Sequence, residues 1–195
     1  MKQPTAFNQL HAVPWKNGGG VTRELACFPP GASFDEFTWR VSIADVHASG
    51  PFSAFLGIDR VIALLDGDGM HLQFADGKMH ALNEPLAPFS FAGERQLHAE
   101  LVGTPSRDFN LMLRRDRARG GIDVLRASGV MASGPDSTLL YCASGRWQVG
   151  DDCLLGSGDH VLLQRDAGKM DEAPIKMLQA GGALVCVNIN LIDRT

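Results

Sequence analysis

MHLQFADGKMHAL, residues 70–82, reads as a β-hairpin. Asp76-Gly77 suits a two-residue turn, because glycine takes the positive φ that such a turn demands. Pairing outward from it places Leu72, Phe74, Met79 and Ala81 on one face. His71, Gln73, Lys78, His80 and Leu82 fall on the other, and the two histidines are expected to meet solvent there.

Outward from this hairpin the same signature recurs. FTWRVSIADV (37–46) puts Phe37, Trp39, Val41 and Ile43 on one strand face and Arg40 and Ser42 on the other. DRVIALLDGDG (59–69) is an apolar run ending in a turn. STLLYCASGRWQV (137–149), LLGSGDHVLLQ (154–164) and ALVCVNINLI (183–192) are further strands divided by Gly or Asp turns. With 22 glycines and 10 prolines among 195 residues, the chain is cut into strand-length pieces, which predicts helix content far below the ~30–35% typical of globular domains. Many short strands at this spacing argue a sandwich or barrel. The polar stretch RRDRARGGID (114–123) is the linker candidate, so the expectation is two units, 1–118 and a smaller 119–195. LLDGDGMHLQF and YCASGRWQV share a strand-into-glycine-turn pattern, a hint of degenerate duplication.

Composition narrows the function classes. Apolar residues make up 45% of the chain, enough for a substantial core. A net charge of −4 gives no basic surplus for nucleic acid. No apolar run approaches the ~20 residues of a membrane span, and the N-terminal MKQPTAFNQLHAVPW lacks the apolar stretch of a secretion signal, so the cytoplasm is the expected location. Cys27, Cys142, Cys153 and Cys186 form no Cys-x-x-Cys pair, and the six histidines (11, 47, 71, 80, 98 and 160) form no His-x-His. No metal or other cofactor is expected on that basis.

WKNGGGVTREL (15–25) is the densest polar cluster. A phosphate loop would need Gly-Lys-Ser/Thr and a following helix, whereas VTRELACF continues as a strand. Two readings stay open: a structural turn, or glycines that let backbone approach a ligand while Asn17, Thr22, Arg23 and Glu24 make polar contacts. Arg40 beside Ser42 either points inward to hold a carboxylate in a bidentate fork or lies on a solvated face. Asp59-Arg60 reads equally as an ion pair or part of a site. SFAGERQLHAEL (90–101) carries Glu94, His98 and Glu100, which would serve an acid–base dyad or simply be a strand's wet face.

WKNGGGVTRE (15–24), FTWRVSIADV (37–46), GPFSAFLGIDR (50–60), LLDGDG (64–69), FSFAGE (89–94) and DFNLM (108–112), in this order, resemble the HutD/Ves family. The resemblance implies an all-β bicupin fold of two packed antiparallel barrels, and a regulatory role in bacterial histidine utilisation through binding of urocanate or a formyl- or formimino-glutamate. It carries over, as ligand-binding positions, the polar residues inside the matched blocks: Asn17, Thr22, Arg23, Glu24, Arg40, Ser42, Ser53 and Arg60. Where metal-binding cupins place His-x-His, this chain reads Phe52-Ser53-Ala54-Phe55 with Asp59, which leaves no catalytic residue set and argues against metal-dependent chemistry. The expected protein is therefore a non-catalytic sensor. Its expected partners are a small anionic metabolite, no nucleic acid and no membrane, with a homodimer as the assembly to look for. The alternative is a metal-independent isomerase or hydrolase acting on a small sugar or amino-acid derivative, with His98 and a carboxylate as acid and base.

Overall fold

The structure, a computed structural model, describes residues 3–131, 134–164 and 173–192. It consists almost wholly of strands; among the described residues the one helical element is a 3-10 turn at Phe7–Gln9. The chain divides into two compact units, His11–Ala118 and Arg119–Ile192, the second taking in the N-terminal residues up to Leu10. Thr5 ties that N-terminal stretch to the second unit, exchanging backbone hydrogen bonds of 2.9 and 3.0 Å with His160.

The first unit contains β1 (Ala12–Pro14), β2 (Gly20–Phe28), β3 (Trp39–Val46), β4 (Gly50–Pro51) and β5 (Ile58–Asp66). It continues with β6 (Met70–Phe74), β7 (Met79–Leu82), β8 (Phe89–Ala92), β9 (Leu97–Leu101) and β10 (Ser106–Arg114). These form a six-stranded sheet, in the order β1-β2-β3-β10-β5-β8, and a four-stranded sheet, β4-β9-β6-β7. Period-two alternation sends Ala44, Val46, Ile62, Leu64 and Phe91 from the larger sheet against Met70, Leu72, Phe74, Leu82, Leu97 and Ala99 from the smaller. The opposite face of the larger sheet is also apolar and buried at Trp39, Val41, Ile43, Ala63, Phe109 and Leu111.

The 70–82 hairpin forms, with its register shifted by one residue from the expected pairing. Phe74 pairs with Lys78 around a three-residue loop, Ala75-Asp76-Gly77, and Leu72 then lies opposite His80. Gly77 takes a φ of +83°, and Asp76 Oδ1 accepts the Lys78 N–H at 3.1 Å, the pattern of a turn closed by a glycine bulge. One residue of slip exchanges the faces of a strand. Met79 is therefore exposed, while His80 turns inward and stacks on Phe89 with ring centroids 3.6 Å apart. Burial there lowers the imidazole pKa.

The triple-glycine segment is a brace. Gly18 closes a tight turn onto the Trp15 carbonyl with a φ of +70°, and a Cβ on Gly20 would lie 2.5 Å from the Asp45 carbonyl oxygen. The turn seats Trp15, whose indole N–H donates to Thr22 Oγ1 at 2.7 Å and whose ring meets Phe52 edge-on at 6.3 Å.

The second unit repeats the two-sheet plan. Its strands are β11 (Ala118–Leu125), β12 (Gly129–Met131), β13 (Ser137–Ser144), β14 (Arg146–Val149), β15 (Cys153–Gly156), β16 (His160–Gln164), β17 (Ala173–Met177) and β18 (Ala183–Leu191). They are arranged as β11-β18-β13-β16 and β12-β17-β14-β15. Apolar side chains fill the space between them: Leu140, Cys142, Trp147, Leu155, Val161, Ile175, Leu184 and Cys186. The polar pair on the same face of β13 and β18, Thr138 and Asn188, is hydrogen-bonded to itself at 3.1 Å.

Candidate functional site

Polar side chains enter the interior of the first unit in three successive rows across its larger sheet. The first row runs Cys27, Arg40, Met112, Arg60, Phe91 over β2, β3, β10, β5 and β8. Next come Glu24, Ser42, Asn110, Ile62 and Phe89. The third holds Thr22, Ala44, Asp108 and Leu64. Residues directly paired between neighbouring strands share a face, so all of these look the same way, toward the core made by Ala44, Ile62, Leu64 and Phe91.

Arg60 is the centre of the cluster. Only 5% of it is exposed, and its guanidinium carbon lies 5.1–5.9 Å from the ring centroids of Phe52, Phe55 and Phe91. Burial brings its pKa down to about 10, partly countered by Asp108 and reinforced by Arg40, so the group stays cationic at neutral pH. Its Nε has no hydrogen-bond partner. Arg40 donates from Nε to Glu24 Oε2 at 2.7 Å and more weakly from Nη1 to Ser42 Oγ at 3.4 Å, and its guanidinium sits 4.8 Å from the Phe34 ring. Phe34 in turn stacks on Phe55 at 5.6 Å, so one ring of the stack lies over each arginine. Asp108 is 1% exposed, and neither carboxylate oxygen has a partner. Burial pushes its pKa up to about 7, against the pull of Arg60 and with a small push from Asp45. Asn110 Oδ1 is likewise buried and unpartnered.

Of the eight positions singled out in the sequence, five share this interior face: Thr22, Glu24, Arg40, Ser42 and Arg60. Thr22 accepts from Trp15, as described above. Arg23 does not join them. It pairs across from Ile43 on the reverse of the sheet, where it and Arg107 both bind Asp45. Asn17 is exposed, and its Oδ1 accepts the Gly19 N–H at 3.0 Å. Ser53 is exposed on the loop between Phe52 and Phe55. Asp59 makes no pair with Arg60: it turns away and bonds Arg115, which also holds Glu94. His98 is exposed on β9 beside the outward-facing Glu100, on the face opposite to buried Leu97 and Ala99, so the acid–base dyad has no place in the interior. Sequence reasoning missed Asp108 and Asn110, although the alternation of DFNLM sets Asp108, Asn110 and Met112 apart from Phe109 and Leu111. Among the described residues no three His, Cys, Asp or Glu side chains cluster to hold a metal ion. No helix among them is long and apolar enough to cross a membrane.

The HutD family model matches residues 8–185. The chain belongs to the HutD family. Protein Ves from Escherichia fergusonii is 35% identical over 177 residues, covering 90% of this chain and 87% of its own. An uncharacterized 21.2 kDa protein in the hutC 3′ region of Pseudomonas putida is 40% identical over 162 residues, 77% of this chain and 84% of that one. The structure of HutD from Pseudomonas fluorescens SBW25, in a formate condition, superposes with a TM-score of 0.86 at 29% identity over 97% of this chain and 98% of its own. A cupin barrel-domain protein from Leptotrichia buccalis, at 9% identity and a TM-score of 0.58 over 97% and 96% of the two chains, is alike in fold alone. The HutD-family chain is thus an all-β protein with the cupin fold, and its polar interior lies in the His11–Ala118 unit.

Proposed function

We propose that this HutD-family protein is a non-catalytic binding protein of the cytoplasm. It holds a small anionic intermediate of histidine breakdown, urocanate or a formyl- or formimino-glutamate, inside its first unit. Occupancy then reports on flux through the pathway. The observation that carries this reading is Arg60, a buried guanidinium walled by phenylalanines whose Nε has no partner. A charged donor in such surroundings gains most from an anionic acceptor, because a charge-assisted hydrogen bond strengthens where water is excluded. Arg40 adds a second positive charge in the same row, and Glu24 holds it in place through Nε. The Pseudomonas putida relative in the hutC 3′ region supports the choice of pathway.

The decisive experiment is calorimetric titration of the whole chain with urocanate and N-formyl-L-glutamate, with chromatography of each mixture after prolonged incubation. Stoichiometric binding with the acid recovered unchanged supports the reading. Absence of binding by both acids, or conversion of either, overturns it. At free ligand about 100 times the dissociation constant, binding adds about 2.7 kcal/mol of stability, a shift readily seen in thermal melts.

A further inference from the structure

We propose that Asp108 and Asn110 form a second pole of this site, one that selects carboxylates carrying an N–H donor at some distance from the carboxylate. The inference rests on the reading of the arginine pair as the carboxylate-binding pole. Two residues along a strand are about 6.7 Å apart, so Asn110 and Asp108 stand one and two such steps along β10 from the Arg40–Arg60 row. Both are more than nine-tenths buried. Three oxygens, Oδ1 and Oδ2 of Asp108 and Oδ1 of Asn110, accept no hydrogen bond, and at the arginine row the buried Arg60 Nε donates none.

The sheet itself cannot answer these acceptors. Asp108 lies between Ala44 and Leu64, and Asn110 between Ser42 and Ile62, so their neighbours across the sheet are methyls and one hydroxyl. A folded interior with no ligand to bind would favour apolar side chains at both places, since an unmet buried acceptor is destabilising. The fully buried atoms left without a partner divide along the strand: a cationic donor at the arginine row and three acceptor oxygens beyond it. A ligand that satisfies both ends carries an acceptor at one end and a donor at the other. Simple carboxylates meet only the first requirement. They are rejected by the acceptor pole, because binding them would keep Asp108 and Asn110 unpaired in a site closed further to water.

The test uses two pairs of acids in which the second member lacks the N–H donor of the first. Urocanate is compared with 3-(furan-2-yl)acrylate, and N-formyl-L-glutamate with its N-methyl derivative, by calorimetry on the whole wild-type chain at pH 8, where Asp108 is ionised. At least one N–H acid is expected to bind roughly tenfold or more tightly than its partner, the discrimination one unpaired buried polar group gives. In Asp108→Leu and Asn110→Leu the preference shrinks, while binding of the N–H-free acids is retained. Equal binding within both pairs by the wild-type chain overturns the acceptor pole and leaves the arginine reading standing. Failure of all four acids to bind removes the arginine reading and this inference with it. Full discrimination surviving in both leucine variants also overturns the assignment. The wild-type comparison stands alone if a variant fails to fold.

Discussion

Arg40 and Arg60 each lie directly opposite Met112, one on either side of the central strand β10, so two guanidinium groups enter the same interior from neighbouring strands. Like charges brought this close disfavour one another, and Arg40 is among the causes that lower the pKa of Arg60. Glu24 offsets the charge of Arg40 at 2.7 Å, whereas Asp108, the carboxylate that acts on Arg60, makes no hydrogen bond to it.

Arg60 is accordingly the stronger anchor. Arg60→Met should keep the fold, because an apolar chain of similar length suits the ring of phenylalanines, and should abolish the ligand-induced rise in melting temperature. Arg40→Ala should weaken binding by about 1.5–3 kcal/mol, the range for a hydrogen bond to a charged group, and leave some response. Thermal melts with and without urocanate or N-formyl-L-glutamate check both. An Arg60→Met protein that still responds fully would contradict the site.

Arg23 provides the control for facing. It sits on the reverse of the sheet with Asp45, so Arg23→Gln should bind the same ligand with unchanged affinity. The pair is largely buried, with side chains 23% and 15% exposed, and Arg107 stays on Asp45, so urea denaturation should show a loss of about 1.5–3 kcal/mol, that of one hydrogen bond to a charged group.

Asp108 predicts a pH-dependent stability. Burial raises its pKa in the folded protein from 3.8 to about 7, with Arg60 opposing and Asp45 assisting. The folded state thus holds this proton more tightly than the unfolded chain does. The resulting stability is present in full below the unfolded pKa and is lost as pH rises through 7. At about 1.4 kcal/mol per unit, the loss is bounded at about 4 kcal/mol. Asp108→Asn removes the titration, so its advantage over wild type in urea melts should grow between pH 5 and pH 8. A constant difference across that range would show that Asp108 does not titrate there.

Gly20 tests the brace around Trp15. A methyl group at this position would meet the Asp45 carbonyl oxygen at 2.5 Å and the Trp15 ring at 3.2 Å, and backbone cannot swing aside. Gly20→Ala should cost about 1–3 kcal/mol, typical of forced overpacking, with a change in tryptophan fluorescence. Gly18→Ala meets no neighbour but keeps the φ of +70°, so any loss there comes from backbone strain alone.

Strand content was legible because Gly, Pro and alternation act locally. Facing was legible only in part. Thr22, Arg23 and Glu24 are consecutive on a strand and cannot all point into one interior, so one family block contributes to both sides of the sheet. The polar set of DFNLM was visible, but β10 is buried on both faces, and periodicity alone does not say which face looks into the interior. His80 was misplaced because a three-residue loop with a glycine bulge and a two-residue turn share the same Asp-Gly signature, and the single extra residue decides which face is buried.

Asp45 bears on how the protein would pass on its message. Gripped by Arg23 from β2 and Arg107 from β10, it rivets three adjacent strands together behind the third row, that of Asp108. A wall riveted in this way resists bending, so under the proposed function the displacement caused by a bound acid would fall on the opposite end. There Phe34 and Phe55 stack across two loops beside Leu56, which is 86% exposed. On that reading, a protein that listens to this one would read the rim and its aromatic stack, with the sheet behind as the anvil.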